Sequence, residues 1–179
     1  LVGLSLLSSV IVRLKNEKKR LDTLFSITSE LNRMLPTKEW FAVLKNSIND
    51  FVKVEGSVLW IKEDGMWKRR MSDGPISKDY TPSKELLYIY ENMKKPSIYN
   101  DRRKASEQIG ECFTSEIKAV VYSPLVIEDE TVGMFVLGRS RVRSFEETDI
   151  SSIATLSNQL AAVIKTRMLF NEKEKRILL

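Results

Sequence analysis

The chain contains no histidine and a single cysteine, Cys112. The first absence removes catalytic triads built on imidazole, zinc–histidine sites and haem held by a proximal histidine. The second removes an internal disulfide and any cysteine-cluster metal site, and it fits a reducing compartment. Glycine is sparse, with seven scattered residues, and none of them forms a phosphate-cradling loop. No repeat or low-complexity tract is visible. No set of residues supports an enzyme, a resident metal or a cofactor, and the reading is non-catalytic.

What is present describes a folded domain with extensions. The 179 residues are 42% hydrophobic and 30% charged, a balance that belongs to a packed core rather than to disorder. The net charge of +5 is mild and reads first as solvated surface. The basic clusters "KRR" (68–70), "RRK" (102–104) and "RSRVR" (139–143) lack a groove-entering helix or interleaved stacking aromatics, so nucleic acid is not an expected partner.

Residues 1–12, "LVGLSLLSSVIV", are apolar and uncharged but shorter than the roughly 20 residues a membrane helix needs. Arg13, Lys15, Lys18, Lys19 and Arg20 follow at once, as where a helix leaves a bilayer on its cytoplasmic side. The expectation is that 1–12 ends a transmembrane helix, placing the chain at the cytoplasmic face of the cell membrane. A buried helix start or a processed signal remnant is the alternative. Over 13–36, Leu14, Leu21, Thr28 and Leu35 fall seven apart, with Leu24 and Leu31 between them. This pattern fits a parallel two-helix coiled coil or an amphipathic helix packed on its own domain. Pro36 stops the helix.

Beyond it, "TKEWFAVLKNSINDFVKV" has helical spacing with Thr37 as cap, and "GSVLWI" and "WKRRMS" flank the turn dipeptide Asp64-Gly65. "SKELLYIYENMKK" is helical, "SIYN" is a short strand, and "DRRKASEQIGECFTSE" is a polar loop. "KAVVYSPLVIEDETVGMFVLG" is a hairpin turning at "EDE", with Gly133 and Gly138 marking close approaches or bulges. A long helix then runs from about Glu146, where Ser144 and Glu147 have capping-box spacing. Two hairpins among helices define an α+β fold with antiparallel pairing.

The stretch "AVVYSPLVIEDETVGMFVLGRSRVRSFEETDISSIATLSNQLAAVI" resembles GAF domains, small-ligand sensory modules of signalling proteins. Pro124-Leu125, Val132-Gly133, Phe145, Glu146, Glu147 and Asp149 carry the likeness, and "EGSVLWIKEDG" is similar to the family's first strand and turn. The resemblance spans 37–165 and implies a central antiparallel sheet with helices on both sides. It implies a ligand pocket, for an unknown small molecule, on the face away from the first and last helices. By that analogy Ser57, Leu59 and Ile61 face the pocket, Ser72 and Asp73 form its rim, and Tyr99 and the 109–113 segment with Phe113 form its lid. The same positions also fit a packed core.

The family's cyclic-nucleotide binders carry Asn-Lys followed by Phe-x-x-x-Asp-Glu. Gly138-Arg139 and Ile150 depart from that pattern and argue against such a ligand. Bilin attachment, which uses a cysteine often beside a histidine, and free methionine sulfoxide reduction, which uses several cysteines, are disfavoured. Cys112 is either an exposed oxidant sensor or a buried inert residue.

The last helix continues the sevenfold spacing through Leu156, Val163, Phe170 and Ile177. Residues 166–179 therefore read as a helical linker to an output domain, a histidine kinase or a diguanylate cyclase. The dimer helices would use Leu14, Leu21, Leu24 and Leu31 at one end and Leu156, Val163, Phe170 and Ile177 at the other, giving a parallel homodimer. The expected function is a sensory relay of a two-component or cyclase system. A ligand-free spacer that holds neighbouring domains in line is the alternative.

Overall fold

The computed structural model describes residues 2–33 and 38–177. Leu35, Pro36 and Thr37, given roles above, lie outside the described residues. The order is α1 (Val2–Arg33), α2 (Lys38–Phe51), β1 (Gly56–Glu63), β2 (Met66–Asp73), α3 (Lys84–Asn92), β3 (Ser97–Tyr99), a 3₁₀ turn (Arg102–Lys104), β4 (Ala119–Ile127), β5 (Glu130–Arg139) and α4 (Glu147–Ile177). The strands form one antiparallel sheet in the order β2-β1-β5-β4-β3.

Both hairpins turn on two residues in the left-handed region. Asp64 and Gly65 have φ of 52° and 75°, and Glu128 and Asp129 have 49° and 64°. Positive φ at both central residues matches the right-handed twist of the flanking strands. The second turn is Glu128-Asp129 rather than "EDE", because Glu130 already pairs with Ile127.

α1, α2 and α4 pack together on one face of the sheet. The core there joins Leu24, Ile27 and Leu31 of α1, Trp40, Leu44 and Ile48 of α2, and Ile153, Leu156, Leu160 and Val163 of α4 to the strands. The Trp40 indole N–H donates to the Leu31 carbonyl at 3.0 Å and ties α2 to α1. Arg20 donates to the Thr148 carbonyl at 3.3 Å and Arg167 to the Asn32 carbonyl at 2.6 Å. These two contacts make α1 and α4 run in the same direction, and their free segments leave at opposite ends.

This packing corrects the expected dimer seam. Leu24, Leu31, Leu156 and Val163 are buried in the domain's own core and present nothing to a second chain. The heptad in α1 merged two faces. Leu24, Ile27, Thr28 and Leu31 face the domain, whereas Leu7, Leu14, Leu21 and Phe25 lie on an exposed stripe, Phe25 being 75% exposed. Spacings of seven, seven and four keep that stripe together on a helix of 3.6 residues per turn. In α4, Ile177 is exposed, and the side chain of Phe170 lies outside the described residues.

The join from β5 to α4 is held by Arg139. Its guanidinium donates to both Asp149 oxygens at 2.9 and 3.2 Å, to the Lys53 carbonyl at 2.8 Å and to the Ser144 carbonyl. It also stacks 4.4 Å from the centroid of the Phe145 ring. Asp149 Oδ2 accepts the Glu146 N–H at 3.0 Å, so α4 is closed from within by Asp149. The Ser144 hydroxyl donates instead to the Arg141 carbonyl, and the cap falls one residue beyond Phe145 rather than at Ser144. Replacing Arg139 by Met should cost about 2–4 kcal/mol in urea unfolding, because it strands a half-buried carboxylate and two carbonyls. The exposed neighbour Arg141→Met should cost almost nothing.

Candidate functional site

The second face of the sheet carries its own core. Val58 and Trp60 of β1, Val120 and Tyr122 of β4, and Met134 and Val136 of β5 point away from the long helices. α3 covers them with Leu86 and Tyr90, and the 100–118 segment adds Ile109, Cys112, Phe113 and Ile117. α3 starts cleanly because the Ser83 hydroxyl accepts the Leu86 N–H.

The site residues drawn from the resemblance divide between the two faces. Leu59 and Ile61 pack under α1, α2 and α4, and Ser57 shares their side by strand alternation. This is the reverse of the expected orientation. Asp73 is held by Lys45 of α2 at 2.8 Å, also on the helix side. Ser72 pairs with Val58 at the edge of the other face and is exposed. Tyr99 and Phe113 do lie on that face, Tyr99 edge-on to Tyr122 at 5.9 Å.

The expected lid is fastened down. Arg102 donates to the Ile109 and Thr114 carbonyls at 3.2 and 2.8 Å, and the Tyr122 hydroxyl accepts the Gly110 N–H at 2.8 Å. The Ser77 N–H reaches the Cys112 carbonyl, and the Thr114 N–H reaches that of Pro75. Phe113 seats its ring where side chains on Gly56 and Gly138 would stand: a Cβ at Gly56 would lie 2.7 Å from it, and one at Gly138 3.1 Å. The centre of this face is therefore filled by the protein's own Phe113, Tyr90 and Tyr122, each buried to within 1% of completely.

Open space is displaced to the edge. A cleft of about 730 Å³ lies between the β1–β2 hairpin and α3, lined by Trp60, Trp67, Arg69, Tyr80, Pro82 and Leu87 among others. Its aromatic rings interlock, Trp60 with Tyr80 at 6.0 Å and Trp67 with Tyr90 at 5.4 Å, edge to face. The indole N–H groups of Trp60 and Trp67 and the hydroxyls of Tyr80 and Tyr90 are buried without a hydrogen-bond partner. The two hydroxyls are close enough to influence each other's ionisation, yet they lack hydrogen-bond geometry. Burial pushes both above the ordinary phenol range, so they stay protonated donors. At the rim, the Lys62 ammonium 3.2 Å from Glu91 holds that carboxyl below its usual range, and the nearby Trp67 indole N–H acts in the same sense although it falls short of hydrogen-bond geometry.

Trp60, Trp67, Tyr80 and Tyr90 were not singled out from the sequence. Strand alternation puts Val58 and Trp60 on one side of β1 but does not say which side faces the long helices. The tight Asp64-Gly65 turn was the available signal, since it folds Trp67 back beside the strand that carries Trp60. A second cleft, of about 360 Å³, lies between α1 and the start of α4 and is lined by charged side chains such as Arg13, Glu17 and Arg20. Among the described residues no cluster of three or more acidic or thiol groups could hold a metal ion.

Residues 46–165 match the family model for the GAF domain. The chain belongs to the GAF family. GAF domains are sensory and regulatory domains of signalling proteins, and the fold is generally non-catalytic. Among solved structures, the chain is similar to the GAF domain of a putative sensor histidine kinase from Pseudomonas syringae pv. tomato, with 18% identity and a TM-score of 0.68 over 93% of this chain and 99% of that one. The GAF domain of an Acinetobacter phosphoenolpyruvate-protein phosphotransferase gives 17% identity and a TM-score of 0.70, over 84% and 95%. A type II free methionine-R-sulfoxide reductase from Thermoplasma acidophilum gives 11% and 0.59, over 77% and 94%. At these identities the likeness carries the fold and not the chemistry. No curated protein matches the sequence.

Cys112 is fully buried, and burial pushes its thiol up to about 12 from an ordinary 9.0. It is the inert alternative of the two raised by the sequence. A thiol reagent at pH 8 should leave the folded protein unmodified and label it fully in urea. The raised thiol also sets a pH dependence. Its stabilising share is complete below about pH 9 and is lost as pH rises toward 12, where the unfolded chain ionises first. Urea melts across that window should fall in midpoint, and Cys112→Ala should flatten the slope, leaving the part due to the buried tyrosines.

Proposed function

We propose that this GAF domain is a sensory relay, with its paired helices carrying a signal along their length between a membrane anchor and an output domain such as a histidine kinase or a diguanylate cyclase. The observation that carries this reading is α1. It spends one face on its own domain and leaves a second apolar stripe, Leu7, Leu14, Leu21 and Phe25, with no partner among the described residues. A second copy of α1 is the economical cover for that stripe, as a parallel homodimer.

The apolar, exposed 2–12 segment and the basic residues directly after it support an anchor at the cytoplasmic face of a membrane. No helix among the described residues is long and apolar enough to cross a membrane, so the anchor is proposed from this charge pattern. The domain organisation follows: 1–12 as the end of the anchor, 13–36 as a signalling helix, 37–165 as the sensory domain and 166–179 as the helical link onward. A signal changes the crossing or register of the paired helices, and a ligand does so only by binding the two arrangements unequally.

The filled centre of the ligand face favours a second reading, a ligand-free spacer. The two readings share the dimer and differ in whether the edge cleft binds anything.

Analytical ultracentrifugation tests the dimer. The protein should sediment as a dimer, and the pair Leu21→Glu with Phe25→Glu should convert it to a folded monomer, since both side chains are exposed on the single domain; its melting temperature should fall only by the share that association contributes. A strictly monomeric parent protein at high concentration overturns the relay.

A further inference from the structure

The cleft between the β1–β2 hairpin and α3 is selective in its chemistry. Among the described residues, the Trp60 indole N–H is a buried donor at the cleft with no partner, whereas the Trp67 N–H lies near Glu91 and the Tyr80 hydroxyl near that of Tyr90, both short of hydrogen-bond geometry. An indole N–H cannot accept a hydrogen bond, so only an acceptor on a guest satisfies it. Such atoms are rare in folded proteins, and the Trp60 N–H beside the cleft marks a place where a partner atom is missing.

The charge at the cleft has the same sense. Arg69 stands opposite Trp60 in the β1–β2 register, and Lys84 lines the cleft from the first turn of α3. Neither forms an ion pair among the described residues. Glu91 supplies the carboxylate among the lining residues, and it is already matched by Lys62. The walls are flat and apolar, made of the Trp60, Trp67 and Tyr80 rings with Pro82 and Leu87. Three rings would also suit an alkylammonium guest by cation–π attraction. That guest would leave the Trp60 indole N–H bare and would meet Arg69 and Lys84 with like charge.

We infer that the cleft binds a small flat anion, an aryl carboxylate of one or two rings. Its ring lies among the cleft's aromatic side chains, and its carboxylate takes the Trp60 indole N–H and the Arg69 guanidinium. This rests on the sensory reading of the domain and names the class of molecule sensed.

The test is calorimetric titration with a matched series: 2-naphthoate, 2-naphthamide and 2-naphthylmethylammonium. The carboxylate should bind saturably and raise the melting temperature. The amide should bind about tenfold more weakly, since a charge-assisted hydrogen bond is lost, and the ammonium should not bind. Arg69→Gln and Trp60→Phe should each weaken the carboxylate by about tenfold; Arg69 is exposed, so that variant keeps its fold. Equal or tighter binding of the ammonium overturns the inference, as does carboxylate binding indifferent to both substitutions. If a metabolite screen finds a neutral or cationic stabiliser that Trp60→Phe abolishes, the ligand class falls and the sensory reading stands. If no compound of any charge binds, both fall and the spacer remains.

Discussion

The contact on which most of the structure depends is the one made by Arg139. Its guanidinium meets the Asp149 carboxylate, two backbone carbonyls and the Phe145 ring at once. A planar fork with five donors does this where an ammonium would not. Through these bonds the last strand of the sheet, the end of α2's following loop and the first turn of α4 become one piece. Asn100 adds a reciprocal pair of bonds to the Phe145 backbone, both at 3.1 Å, which brings the loop after β3 into the same joint. With the entry of α4 set here, its apolar side meets the sheet, and α1 and α2 have a surface to pack on.

The sheet thus separates two interiors of different character. The helix side is mostly aliphatic and its polar groups are paired, as where the Trp40 indole donates to the Leu31 carbonyl and Ser157 donates to Ser123 at 2.8 Å. The opposite side is aromatic and carries hydroxyls, indoles and a thiol. Aliphatic packing is satisfied by contact alone. Aromatic polar groups need partners, and several here lack them. The first interior therefore holds the domain together, and the second has unused hydrogen-bonding capacity.

Much of this was legible in the residues. The two hairpins followed from Asp64-Gly65 and the charged turn after Ile127, the helices from their apolar spacing, and the family from the order of motifs through Asp149. The facing of β1 was not legible, because Gly56 through Ile61 are buried without interruption. A strand covered on both sides has no polar face to orient it. Only the resemblance puts Leu59 and Ile61 on the ligand side, and the packed domain reverses it. The heptad of α1 failed differently: Leu14 and Leu24 both satisfy a sevenfold pattern, but only the packed domain decides which of them turns inward. The cap falls at Glu146 rather than Ser144 because Arg139 holds Asp149 where it accepts the Glu146 N–H and takes the Ser144 carbonyl itself.

The shared direction of α1 and α4 has a geometric consequence. The domain sits beside two helices that pass it in the same sense, one arriving and one departing, so it behaves as a bead threaded on a shaft. Anything attached at the far end of α4 is indexed to the sheet by a rigid rotor. One residue added to or removed from α4 beyond Arg167, the last residue bonded to α1, would leave the bead untouched and turn whatever lies further along by about 100°. The length of that helix, more than its composition, sets the angle at which the domain presents its state.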